Sequence, residues 1–250
     1  MPTVNDIFSA LDRLAPFETA MGFDNCGLLI GDPEAEVTSC LLALDVTHEA
    51  VARAEAVSAQ LLITHHPVIF HPLKAVRKGQ VVYSLTEKKL SVISAHTNLD
   101  LAAEGVNRAL AEAIGLTGLE PLPNPDGLGL IGCFPEPLRV SECAALLKER
   151  LSAAKVEFTE GDRQIRKLAL VSGSGGSYWE AAQAAGADAF LTGEVKHDVW
   201  ISALNSCFPL LSAGHHATEA VVLEPLSRWL EKEFPMVRFE VYQEFPLAAL

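Results

Sequence analysis

Short apolar segments alternate along this chain with longer segments of helical periodicity. Ser39–Leu44 and Leu61–Thr64 are almost wholly apolar, which is typical of strands buried on both faces, and the alanine-rich segment Thr47–Ala59 between them has the pattern of a helix. Further strands are predicted at Leu90–Ser94, Leu128–Phe134, Lys167–Val171, Ala189–Thr192, Pro209–Ser212 and Arg238–Tyr242. This alternation predicts an α/β protein with largely parallel or mixed sheets.

Capping and helix-breaking residues mark the ends of the predicted helices. Asn5 is predicted as the N-cap of a first helix that ends before Pro16. A second clear pattern covers Leu101–Ile114 and is followed by Gly115, and a long final helix is predicted over Ala217–Phe234. Other helices are expected at 80–90, Ser141–Ala153 and Tyr178–Ala185.

A proline-rich segment stands near the midpoint of the chain. Residues 120–127 contain three prolines within five positions, which excludes a helix and an interior strand. We therefore interpret 120–127 as a connector that joins two lobes, roughly 1–122 and 128–250, of a single domain over 1–250.

The two lobes resemble each other in sequence. Leu42-Ala43-Leu44, a helix and Leu62-Ile63-Thr64 in the first lobe correspond to Leu168-Ala169-Leu170, a helix and Phe190-Leu191-Thr192 in the second. In each lobe a later strand ends in Ser-Ala, a histidine-bearing turn follows, and an acid comes next. We favour an internal duplication over a chance match.

Seven of the eight histidines lie in four short segments, each of which follows an apolar strand. Residues just beyond the carboxyl ends of strands in an open α/β sheet face the crevice in which ligands bind. The sequence therefore predicts that these histidines, with the acids beside them, are close together in space.

Each segment has a metal-binding interpretation and a simpler one. Adjacent His65 and His66 point in different directions and can reach different ions of a pair, or they can be hydrogen-bonded surface residues; His71 is expected to be structural or to support the ligands. Asp100 can bridge two metals or cap a helix.

The second lobe offers similar pairs of residues. Glu219 follows His215 by four positions and His216 by three, so the spacing allows either histidine to share an ion with it; alternatively, Glu219 is a first-turn acid that complements the helix dipole. Glu194 and His197 form another acid–histidine pair.

Together these residues supply nitrogen and carboxylate ligands without cysteine. Such a set suits Zn²⁺, Fe²⁺, Mn²⁺, Co²⁺ or Ni²⁺ and does not select among them. Two ions that share carboxylates would activate a bridging water, as in dinuclear hydrolases.

Charge and cysteine content narrow the function further. The net charge of −13 disfavours binding to nucleic acid or to an anionic membrane surface, and no window reaches the ~20 apolar residues that span a bilayer. Five cysteines without a C-x-x-C pair argue against a disulfide framework. We expect a soluble cytoplasmic protein.

Two further features have open interpretations. Gly173–Ser177 is a glycine-rich turn that can cradle an anion or simply form a tight βα turn, and it lacks the ending of a P-loop. Lys74, Arg77 and Lys78 are expected to be a solvated face, although a phosphate-bearing substrate would need positive charge near the metals.

The ordered motifs resemble one family across essentially the whole chain. The similarity is to the NIF-three-like dinuclear-metal family, also labelled GTP cyclohydrolase I type two homologs, in its short form without an inserted domain. The motifs are Phe23–Leu28, Ile63–Phe70, Ala95–Asp100 with Gly105-Val106-Asn107, Gly193–His197 and Gly214–Glu219.

The resemblance implies two interlocked α/β lobes with the metal site in the cleft between them, a toroidal homohexamer and two divalent ions per chain. It implies the metal ligands His65, His66, Asp100, His215 and Glu219. It places His96, Glu194 and His197 beside the ligands, in supporting or proton-transfer roles. His-His stands in several members where this chain has His197-Asp198, so the role of Asp198 stays open.

The leading hypothesis is a metal-dependent hydrolase that acts on a small anionic substrate, with GTP as the candidate that the family label suggests. A phosphoesterase or amidohydrolase is the enzymatic alternative. The non-enzymatic alternative is a hexameric protein that binds metal, handles a metallocofactor or serves as an interaction scaffold.

Overall fold

The computed structural model describes residues 1–243. The chain forms two compact units: unit 1 consists of Met1–Ala103 together with a second segment that starts at Leu223, and unit 2 is the continuous segment Glu104–Val222. Unit 1 is therefore built from both ends of the described chain. None of the helices within residues 1–243 has the length and apolarity needed to cross a membrane.

Strands and helices alternate in both units, as the hydrophobic pattern predicts. The strands of the described residues are β1 Gly27–Ile30, β2 Ser39–Ala43, β3 Leu61–Thr64, β4 Ser91–Ser94, β5 Thr117–Pro121, β6 Leu130–Arg139, β7 Glu157–Phe158, β8 Gln164–Val171, β9 Ala189–Thr192, β10 Leu210–Ser212 and β11 Arg238–Tyr242. The helices are α1 Val4–Leu14, α2 His48–Ala56, α3 Val81–Glu87, α4 Thr97–Leu101, α5 Val106–Ala113, α6 Val140–Arg150, α7 Trp179–Ala184, α8 His197–Asn205, α9 His215–Glu219 and α10 Leu223–Glu233.

Unit 1 contains a five-stranded mixed sheet in the order β1-β4-β3-β2-β11. Strands β11, β2, β3 and β4 run parallel, and β1 pairs antiparallel with β4 at one edge. Strands β2, β3 and β4 are fully buried, which explains their continuous apolar sequences. Leu41, Leu62 and Val92 pack with Val51 and Leu85 from α2 and α3 on one face of the sheet.

Unit 2 contains a six-stranded mixed sheet in the order β5-β6-β8-β9-β10-β7. Its central strands β8, β9 and β10 are parallel, and the remaining pairings are antiparallel. Leu147 and Leu110 from α6 and α5 pack against Leu168, Leu170 and Leu191 in the core. The predicted α/β class with two similar halves and mixed sheets is therefore confirmed.

The boundaries between the two units do not fall at the predicted connector, residues 120–127. Residues 120–127 lie inside unit 2, where they end β5 and turn the chain into the antiparallel strand β6. The Asn124 amide stabilises this turn by donating to the carbonyl oxygens of Leu122 and Leu128 at 2.8 and 2.6 Å. Pro121 is exposed on the edge strand β5, where a missing N–H is tolerated.

Three helix boundaries also differ from the predictions. Thr3, and not Asn5, caps α1, because its hydroxyl accepts from the Asp6 N–H while the Asp6 carboxylate accepts from the Thr3 N–H. The helix predicted over Leu101–Ile114 begins only at Val106, because α4 ends at Leu101 and Ala102 is extended. The predicted final helix is interrupted by a 3₁₀ turn, after which Pro225 occupies the first turn of α10, where its missing N–H costs no helical bond.

Candidate functional site

Three histidines meet at the carboxyl ends of β3 and β4 in unit 1. His65 and His66 follow β3 directly, and His96 follows β4 by two residues. These strands are parallel neighbours in which Thr64 pairs with Ser94, so the three side chains leave the same edge of the sheet. One ring nitrogen from each histidine lies within 4.8 Å of the others, a spacing that lets imidazoles converge on one ion or on two adjacent ions.

Hydrogen bonds fix the orientation of all three rings. In each case Nδ1 lies within 3.0 Å of an oxygen that can only accept, so Nδ1 carries the proton. In the neutral ring Nε2 then has the lone pair that a metal requires, and this arrangement is the usual support for a metal-ligating histidine. The pairs are His65 with the Ala95 carbonyl at 2.9 Å, His66 with Asp45 Oδ1 at 2.7 Å and His96 with Asp24 Oδ1 at 3.0 Å.

Asp24 is a functional candidate that the sequence did not single out. Its side chain is inaccessible to solvent and accepts from Cys26 Sγ at 3.0 Å and from Thr97 Oγ1 at 2.5 Å, as well as pairing with His96. Burial raises the pKa of this carboxyl, but the hydrogen bonds from His96, Cys26 and Thr97 outweigh burial and hold the pKa below its usual range. Asp24 is thus ionised at neutral pH and accepts hydrogen bonds only.

Asp100 lies beside the histidines but does not cap a helix. It occupies α4, whose N-cap position is His96, so the alternative of a helix cap is wrong. Its Oδ1 is 3.7 Å from Nε2 of the buried His65. This places a carboxylate oxygen near the second ring nitrogen of His65.

A second donor pair lies in unit 2, on the short helix α9. Nε2 of His215 is 3.0 Å from Oε2 of Glu219, one helical turn away. Adjacent ligand atoms around one ion are about 3.0 Å apart in octahedral and about 3.4 Å apart in tetrahedral coordination when their bonds are about 2.1 Å long. The sequence spacing allowed either His215 or His216 to pair with Glu219, and in the structure His215 makes this contact.

Two glycines make room for this pair. Gly173 has a φ of +59°, and a Cβ there would collide with Glu219 Oε1 and lie 3.3 Å from His215 Nε2. A Cβ at Gly193 would lie 2.6 Å from the Gly173 oxygen and 2.8 Å from His215 Cα. These positions can therefore carry no side chain while His215 and Glu219 stay in place.

The rest of the glycine-rich turn is closely packed. A Cβ at Gly175 would lie 2.5 Å from a Val171 methyl group, and one at Gly176 would lie 2.7 Å from the Glu194 carbonyl oxygen. These contacts support the interpretation of Gly173–Ser177 as a tight βα turn, because close packing alone accounts for its glycines.

Glu194 lies next to His215, and His197 stands at the start of α8. Glu194 Oε2 accepts from Ser174 Oγ at 2.7 Å, and its Oε1 is 3.3 Å from His215 Nδ1. His197 is exposed at the first position of α8. Asp198, the next residue, lines a cleft of about 700 Å³ in unit 2, together with Ser174, Glu194, Lys196 and His215.

Comparison with known proteins identifies the relatives of this chain. The model of the Duf34/NIF3 (NGG1p interacting factor 3) family matches residues 2–245. A Streptomyces coelicolor protein named "GTP cyclohydrolase 1 type 2 homolog" is 38% identical over 234 residues, which cover 88% of this chain and 82% of the relative. A Clostridium perfringens protein of the same name is 31% identical and covers 96% of each chain.

The fold is also similar to a solved structure. The crystal structure of a hypothetical protein from Staphylococcus aureus matches with a TM-score of 0.94 and 28% identity, over 99% of both chains.

Proposed function

Because the chain belongs to the Duf34/NIF3 (NGG1p interacting factor 3) family, we propose that it is a metal-dependent hydrolase that uses two divalent ions. The observation that carries this proposal is the histidine cluster of unit 1, in which Nδ1 of every ring faces an acceptor and one ring nitrogen from each histidine lies within 4.8 Å of the others. Histidines that share no function would not be expected to have the same hydrogen bond at Nδ1 in all three rings.

The donors of the two units fit divalent transition metals. We propose that His65, His66 and Asp100 of unit 1 and His215 and Glu219 of unit 2 hold the ions. The set contains imidazole and carboxylate without thiolate, which suits Zn²⁺, Fe²⁺, Mn²⁺, Co²⁺ or Ni²⁺. When bound, such ions supply Lewis-acid activation of water and of an electronegative substrate atom.

The surrounding residues hold protons at defined atoms. Asp45 and Asp24 keep the protons of His66 and His96 on Nδ1, which directs both Nε2 atoms toward ligand or substrate. Glu194 accepts the hydrogen bond of the Ser174 hydroxyl and lies near His215 Nδ1, so it is the candidate for moving a proton at that end of the site.

The names of the relatives suggest the first substrate to test. Both curated relatives are called GTP cyclohydrolase 1 type 2 homologs, so GTP is the leading candidate for a small anionic substrate. A small phosphoester or amide is the alternative. We also propose a homohexamer, which light scattering would show as six times the chain mass.

The test measures metal content and turnover in the same preparations. The purified chain is reconstituted with each candidate metal, its metal is quantified, and hydrolysis of GTP and bis-p-nitrophenyl phosphate is assayed. We expect about two ions per chain and turnover of one substrate, with both reduced in His65→Ala. His48→Ala, which removes an exposed histidine at the start of α2, is the matched control and should behave as the wild type.

Other outcomes separate the alternatives. Two ions per chain without turnover of any substrate would favour the non-enzymatic metal-binding function. Failure to retain metal in any reconstituted sample would contradict both functions.

A further inference from the structure

Two exposed phenylalanines lie beside the histidine cluster of unit 1. Phe23 is 64% exposed and Phe70 is 38% exposed, yet their ring centroids are only 6.4 Å apart, with the planes tilted by 52°. The Phe70 ring is 6.2 Å from the His96 ring, in an edge-on arrangement. Large apolar side chains that are grouped and exposed mark an interaction surface, unlike single scattered ones.

The backbone around both rings is fixed. Phe23 is followed by the buried Asp24, whose carboxylate accepts hydrogen bonds from His96 and Thr97. Asn25 Nδ2 donates to the carbonyl oxygen of Ile69, the residue before Phe70, and so ties the two segments together. The aromatic pair is therefore held in place before any ligand arrives, which lowers the entropic cost of binding.

The segment that carries Phe70 has a charge opposite to that of the whole chain. Residues 67–80 form no helix or strand, and a loop of this length is uncommon inside a compact unit. The loop carries exposed Lys74, Arg77 and Lys78 and no acidic residue, in a chain with a net charge of −13. An anionic group is therefore attracted to this loop and repelled by most of the remaining surface.

We propose that Phe23 and Phe70 form an aromatic platform that binds a planar heteroaromatic ring of the substrate beside the histidine cluster. The exposed face of a phenylalanine stacks on such a ring, and Lys74, Arg77 and Lys78 favour a ring that bears a phosphate. This assignment rests on the proposed hydrolase function, and it names the residues that select the class of substrate.

Ring binding is measured apart from turnover. Isothermal titration calorimetry of the metal-loaded full chain uses guanosine 5′-monophosphate, which has both a ring and a phosphate, and ribose 5-phosphate, which has the phosphate alone. We expect Phe23→Ala and Phe70→Ala to weaken binding of the nucleotide about ten-fold or more, as loss of a stacking partner does elsewhere. Binding of ribose 5-phosphate should not change, and Phe23→Trp should retain binding of the nucleotide.

The control is Phe158→Ala, which removes an exposed phenylalanine from the edge strand β7 of unit 2 and should leave binding of the nucleotide intact. Metal content, measured in parallel, should stay at the wild-type level in every phenylalanine variant. A loss of binding with full metal content thus reports on the platform and not on the metal centre.

Three results would overturn the proposal. The first is that the wild type binds no nucleotide, and the second is that the alanine variants bind it as tightly as the wild type. The third is a change of oligomeric mass in the alanine variants, which would make the pair an interface between copies. If the nucleotide binds through the platform while no substrate is turned over, the proposed hydrolase function fails and the platform stands.

Discussion

The two units build different sites on the same scaffold. Each has three parallel strands joined by helices, with Thr64 paired to Ser94 in unit 1 and Thr192 paired to Ser212 in unit 2. Two residues beyond the first of these strands, unit 1 has Asp45 and unit 2 has Gly173. One residue beyond the second strand, unit 1 has His65 and unit 2 has Gly193.

The difference shows how one scaffold places two kinds of side chain at its strand ends. Unit 1 fills its strand ends with imidazoles and with the acids that orient them. Unit 2 has glycine at both positions, and the Glu219 carboxylate of α9 occupies the space beside Gly173.

The hydroxyls of the paired threonine and serine at the strand ends also differ between the two units. In unit 1, Thr64 Oγ1 and Ser94 Oγ bond to each other at 2.9 Å. In unit 2, Thr192 and Ser212 donate instead to the carbonyl oxygens of Gly173 and Gly193 at 3.1 and 2.7 Å. The glycine positions that make room for His215 and Glu219 are thus themselves held by hydroxyls at the strand ends.

Removing the donors of one unit at a time gives the largest expected effect. The double variant His65→Ala/His66→Ala should weaken binding of at least one Co²⁺ ion by more than about 100-fold, which exceeds the loss typical of an outer partner. His215→Ala/Glu219→Ala should have an effect of similar size. Titration followed by visible absorption measures both, and wild-type affinity in either variant would remove that unit from the site.

The space beside Gly173 is tested by filling it. Gly173→Ala should lower the free energy of unfolding by roughly 2–4 kcal/mol, because the positive φ and the collision with Glu219 both oppose a side chain. Urea denaturation measures the change. Gly186→Ala is the control, since its φ is +73° but its Cβ meets no atom within 4 Å, and it should cost only about 1–2 kcal/mol. Equal losses in the two variants would show that space is not the reason for this glycine.

The orienting acids of unit 1 should have a smaller effect. Asp45→Asn keeps the size of the side chain but removes the charge that holds the proton on His66 Nδ1. Metal affinity is expected to fall about 10- to 100-fold. Glu49→Gln, which neutralises an exposed acid in the first turn of α2, should leave the affinity unchanged. A loss of the same size in both variants would point to a general charge effect.

The smallest expected effect is a loss of unfolding free energy at high pH, caused by Tyr178 in unit 2. Burial, together with the hydrogen bond from Tyr178 to Asp126, raises the pKa of Tyr178 to about 12. A tyrosine whose pKa is higher in the folded than in the unfolded protein stabilises the fold. This contribution is complete below the unfolded pKa of about 10, and it is lost as the pH rises toward the folded pKa of about 12.

The unfolding free energy should therefore fall by no more than about 1 kcal/mol over this range, because the pair is partly solvated. Tyr178→Phe should remove that part of the pH dependence and one late step from the ultraviolet titration of tyrosine. An unchanged titration curve in the variant would contradict the assignment.

The sequence predicted the parts of the site that depend on neighbouring residues along the chain. Apolar runs located β3, β4, β9 and β10, and the polar residues that follow them were expected at one edge of each sheet. His65, His66 and His96 do meet there, because the βαβ pattern makes β3 and β4 neighbours.

Contacts between residues that are far apart in the sequence could not be predicted from it. Asp24 and His96 are paired across 72 positions, and no local pattern distinguishes Asp24 from a turn residue. The boundary at 120–127 was misplaced for a related reason: prolines show that a segment is neither helix nor interior strand, but a hairpin turn and a domain connector satisfy that condition equally. Only the pairing of β5 with β6 decides between them.

The return of the chain to unit 1 sets an order for folding during synthesis. Strand β2 pairs with β11 from Arg238 to Tyr242, so one side of β2 has no partner strand until the ribosome has made nearly all of the described chain. The described part of unit 2 is one continuous segment and can complete its sheet earlier. The half of the protein that is translated first is therefore finished last, and β2 is an open edge, exposed to mispairing, throughout that interval.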